Sequence, residues 1–74
     1  MILAKGDVVR ATYEDRTVKA RVILASPGGM SLVIEWGDGM LGGHAGMMMV
    51  RQLATGEYRS LIENKPVALE RVDA

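Results

Sequence analysis

From Thr17 to Trp36 the apolar residues of this chain recur at every second position, and no other feature constrains its fold as strongly. In "TVKARVILA" Val18, Ala20, Val22 and Leu24 fall on one side, with Lys19, Arg21 and Ile23 on the other. In "MSLVIEW" Met30, Leu32, Ile34 and Trp36 alternate with Ser31, Val33 and Glu35. A period of two belongs to a strand with one face on a core. Between the two segments "SPGG", Ser26 to Gly29, fixes one φ with proline and frees two others with glycine, so a hairpin connection is expected there.

Four further segments read the same way. "GDVVRATY" precedes the hairpin and ends in the polar turn "EDR", residues 14 to 16. After it come "MMMVRQL", the turn "TGE", and the short runs "YRSLI" and "PVALERV" joined by "ENK". Pro66 opens the last run, where a missing N–H costs no ladder bond. Six short strands without a sustained helical period predict an all-β fold, a small five- to six-stranded barrel of SH3-like type filling residues 1 to 74 as one domain.

A barrel of 74 residues has little core to hold it. Such a chain buries roughly 60% of its unfolded surface and gains only about 3–5 kcal/mol. With no cysteine and one histidine, neither disulfides nor a structural zinc can supplement that core. Association remains, and a homo-oligomer is expected. Strand alternation nominates Ile23, Val33, Met48 and Val50 as its interface, on the assumption that Met47 and Met49 join the core and Met48 points the other way.

Charge narrows the partners. Nine basic residues balance nine acidic ones, so no long-range field draws in nucleic acid or anionic lipid. The best basic patch is Arg10, Lys19 and Arg21, which a nucleic-acid-binding barrel would use; only two tyrosines and one tryptophan are available to stack on bases. The opening "MILAK" falls short of a signal-peptide core and no run approaches the ~20 apolar residues of a membrane helix, so a cytoplasmic protein without membrane contact is expected.

"GDGMLGGHAGMMMV", residues 37 to 50, is the one stretch that invites a site, because it holds the only histidine, five of nine glycines and four of six methionines. A phosphate cradle needs a helix start with a lysine and a hydroxyl beyond it, and neither is present. His44 has Asp38 or Glu35 at hand to orient its ring, but no serine or threonine stands in a nucleophile pattern. Met40, His44 and Met47 to Met49 are soft donors of the kind Cu(I) takes, yet a strand lets only two of the triplet converge. The segment therefore reads as a connection over residues 37 to 46, with room for a single helical turn at 38 to 46, followed by methionine packing. No catalytic residue, cofactor or metal is assigned.

"GDVVR" at Gly6 to Arg10 and "PVALERV" at Pro66 to Val72 resemble the first and last strands of the plasmid- and integron-borne type II dihydrofolate reductases. The resemblance implies an SH3-like barrel, an oligomeric habit, and a bacterial gene on a mobile element. It does not extend to activity. The family lines a tetrameric pore with a Gln-Ile-Tyr tripeptide before its last Pro-Val, and here those positions are Glu63, Asn64 and Lys65. "GHAGMM" is similar to segments of small bacterial and phage proteins without a known activity. The expected function is a non-enzymatic module that self-associates or binds a protein partner; the alternatives are the nucleic-acid reading and, behind it, a reductase-like pore.

Overall fold

The computed structural model describes residues 2–72; Met1, Asp73 and Ala74 lie outside it. Six antiparallel strands run β1 Val8–Tyr13, β2 Arg16–Ala25, β3 Ser31–Leu41, β4 His44–Gln52, β5 Tyr58–Ser60 and β6 Pro66–Arg71. Each pairs with the next, and β6 returns to β1 (Ala11 opposite Leu69, Tyr13 opposite Val67), which closes the barrel in the manner of small SH3-like barrels. Closure leaves neither a first nor a last strand with an open outer edge.

Inward residues alternate with outward ones as the periodicity requires. Val9, Ala11 and Tyr13 of β1 meet Val18, Ala20 and Val22 of β2, Leu32, Ile34 and Trp36 of β3, and Tyr58 and Val67 across the barrel. Leu3, ahead of β1, covers one end. The connection at residues 26–29 is a 3-10 turn, Pro27–Gly29, braced by Ser26, whose Oγ accepts from the Ser31 N–H at 2.9 Å. This is where the short helical turn lies, and residues 38–46 hold none.

Three expectations fail, each through strand pairing. Met48 and Val50 are core residues, 2% and 1% exposed, whereas Met47 and Met49 stand outside at 53% and 48%. Their pairing decides this: Met48 lies opposite Ile34 and Val50 opposite Leu32, both inward, so the two strands share that phase. A run of four apolar residues has no alternation from which to read it. The proposed interface therefore loses Met48 and Val50; Ile23 and Val33 are half-buried. Second, a bulge between Val22 and Leu24 shifts the register of β2 on β3, and Leu24 turns outward beside Val33. Met30, just ahead of β3, is also exposed.

Third, residues 37–46 are not a loose connection. β3 runs on to Leu41 and β4 starts at His44, so Gly42 and Gly43 form a two-residue hairpin turn. Gly42 has a φ of 60°, and any Cβ there would overlap the edge of the Tyr13 ring. Glycine is thus required by close packing as well as by backbone conformation.

Candidate functional site

The β3–β4 hairpin carries His44 to the barrel's end, where it meets residues remote in sequence. Its ring sits edge-on to Tyr13 with centroids 5.8 Å apart. The Nδ1–H donates to the Leu41 carbonyl at 3.2 Å, and Nε2 faces Glu63 Oε1 at 3.3 Å. The Tyr13 hydroxyl donates to the same oxygen at 3.1 Å. His44 is thus oriented by Glu63, and neither Asp38 nor Glu35 bonds it. The arrangement clamps the turn after β5 to β1 and to the hairpin, and neither groove described below reaches it. Among the described residues no serine, threonine or lysine is bonded to the imidazole.

Glu63, Asn64 and Lys65, at the positions of the reductase tripeptide, are held by bonds within the barrel. Besides the Glu63 clamp, the Asn64 N–H donates to the Ser60 carbonyl at 2.9 Å, and Arg59 donates to the Asn64 carbonyl at 2.8 Å. Lys65 Nζ lies 3.5 Å from Glu14. Among the described residues no group of three or more His, Cys, Asp or Glu side chains is placed to hold a metal. Met40 and the triplet do not converge either, since Met48 is in the core and its neighbours are outside.

Arg10 and Lys19 are directly paired across β1 and β2, and Arg21 pairs with Val8 one step along. The three do share a face. Acids bracket it, however: Arg10 is ion-paired with Glu70 of β6, and Arg21 lies opposite Glu35 of β3. No helix of the described chain is long and apolar enough to cross a membrane. Burial pushes the Tyr58 phenol up from its ordinary range; its hydroxyl donates to the Gly29 carbonyl at 3.4 Å.

An apolar feature crosses several strands on the outer surface. Leu24 is registered to Val33, Val33 to Met49, and the Leu61 N–H donates to the Met49 carbonyl at 2.9 Å, so four apolar side chains form one row across β2, β3, β4 and the end of β5. All four line a single open groove of about 260 Å3. Met47, two residues before Met49 on β4, is exposed as well, and Ile62, next in sequence to Leu61, is 74% exposed. Of the row only Val33 was nominated from the sequence. Leu24 was missed because of the bulge, Met49 because of the phase of β4, and Leu61 because β5 is too short to show a period.

No family model matches the chain, and neither a curated protein nor a solved structure matches it significantly. The fold and this surface define its class: a closed six-stranded antiparallel barrel, compatible with the small SH3-like barrels, carrying an apolar row on its outside.

Proposed function

We propose that this chain is a non-enzymatic interaction module of the bacterial cytoplasm that associates with copies of itself through the row Leu24, Val33, Met49 and Leu61. The row itself carries the proposal. Four large apolar side chains in register across adjacent strands are held against water, and burying them is favourable at about 25 cal/mol per Å2. A standard interface takes about 800 Å2 from each partner, less than a fifth of this chain's 4571 Å2.

A second copy suits the row better than a foreign partner for two reasons. An apolar row is complementary to itself in a two-fold contact, where each residue meets its own kind. The flanks also match: Arg51 and Arg59 border one side and Glu35 the other. A two-fold axis along the row lays the arginine flank of one copy over the partner's Glu35 flank. The resemblance of the end strands to the oligomeric type II reductases points the same way. A reductase pore is no part of the proposal, because the positions of the Gln-Ile-Tyr tripeptide that lines it in that family are here Glu63, Asn64 and Lys65.

Size-exclusion chromatography with light scattering tests it. The parent chain should elute as a dimer or larger, and Met49→Lys and Leu61→Lys should each elute as folded monomers, because a lysine buried there without a partner is costly. A parent that is monomeric throughout, or variants that associate as the parent does, would refute it.

A further inference from the structure

A second surface, which shares only Glu35 with the flank of the apolar row, lies where β2 and β3 part. Both strands continue past the pair Arg21–Glu35, β2 back to Arg16 and β3 on to Leu41, yet the ladder between them stops at that pair. β3 swings away through Gly37, Asp38 and Gly39, the last with a φ of 76°. At the far side of the gap the Arg16 guanidinium donates to the carbonyls of Asp38, at 2.8 Å, and Met40. The result is a notch of about 500 Å3 lined by Lys19, Arg21, Glu35, Trp36 and Gly37, among others.

Which groups face the notch follows from alternation. Val22 bonds toward β1, its N–H donating to Asp7 at 2.9 Å and its carbonyl accepting from Gly6 at 2.8 Å. Arg21 and Lys19 must therefore direct their backbone N–H and C=O toward β3. Arg21 finds Glu35 there, and Lys19 has no registered partner on β3. A strand edge beyond the end of its ladder is what an extended peptide pairs with in β-strand addition. Two cations stand at the same place, with Glu35 beside them. Lys19 and Arg21 form no ion pair among the described residues, and Trp36 forms part of the wall with its indole N–H already donated to the Gly39 carbonyl at 2.8 Å.

We infer that this notch binds an acidic peptide in extended conformation, its backbone paired with Lys19 and its carboxylates set against Lys19 and Arg21. A nucleic-acid strand suits the place less well. A single aromatic lines the notch to stack on bases, and a strand edge recognises another backbone rather than a phosphate.

Trp36, the only tryptophan, is the reporter. The intact protein is titrated with three probes: an alternating Glu-Val hexapeptide, the same peptide N-methylated at every second residue, and a dT oligonucleotide. The expected result is a saturable change in tryptophan emission with the first peptide, weakened about tenfold or more by N-methylation. Lys19→Glu with Arg21→Glu should weaken it similarly, while Lys5→Glu, which reverses an exposed cation outside both the notch and the row, leaves it unchanged. Thermal unfolding confirms that each variant is folded. No response to the acidic peptide, an affinity indifferent to N-methylation, or a response to the oligonucleotide alone would each overturn the inference. Titration at a concentration low enough to keep the chain monomeric separates this readout from association through the row, so the two proposals stand or fall separately.

Discussion

Replacing Met48 by alanine should cost far more than replacing Met49, although the two are neighbours in a run of three identical residues. Met48 is 2% exposed and packs opposite Ile34 inside the barrel, whereas Met49 is outside. Truncating a buried methionine costs about 2–5 kcal/mol, and truncating an exposed one changes stability by about 0.5 kcal/mol or less. A barrel of this size has about 3–5 kcal/mol to lose. Urea unfolding at a concentration low enough to keep the chain monomeric should therefore show Met48→Ala shifted by about 2 M or more, at the ~1 kcal/mol/M slope of a small domain, or already unfolded in water. Met48→Leu keeps the volume and should stay folded, losing less than about 1.5 kcal/mol. If Met49→Ala is the more damaging of the two, β4 is paired one residue out of register and the outer row does not exist as described.

Gly42→Ala should destabilise by about 1–3 kcal/mol in thermal or urea unfolding, because its methyl overlaps the Tyr13 ring; Gly43→Ala, next to it in open space, should change little. Stability should also fall in alkali. Tyr58 binds its proton more tightly folded than unfolded, so the stabilisation is complete below the ordinary phenol value near 10 and is lost as pH rises through the higher folded value. Urea midpoints from pH 9 upward should decline in the parent, and Tyr58→Phe should remove that part of the slope; a slope unchanged in the variant would place its origin elsewhere.

The strands were legible wherever apolar and polar residues alternate. Val18, Ala20 and Val22, and Leu32, Ile34 and Trp36, face the core as their spacing indicates, and the turn at Ser26–Gly29 is where proline and glycine place it. Legibility ends where pairing supplies the information. The triplet Met47 to Met49 takes its phase from β3, and Leu24 takes its direction from a bulge that no residue type announces. Gly42 and Gly43 make a tight hairpin, yet they sit among three other glycines and look like part of a loop. The clamp of Tyr13, His44 and Glu63 joins three distant segments, and only the closed barrel brings them together. The apolar row was hidden for the same reason: it runs across strands, and periodicity reports along them.

Sedimentation equilibrium of the unaltered chain over a concentration series from low to high micromolar tests the central claim most directly. Association through the row Leu24, Val33, Met49 and Leu61 predicts a mass rising from one copy to two or more, with a transition that Met49→Lys abolishes. A single-copy mass maintained to the highest concentration would contradict it.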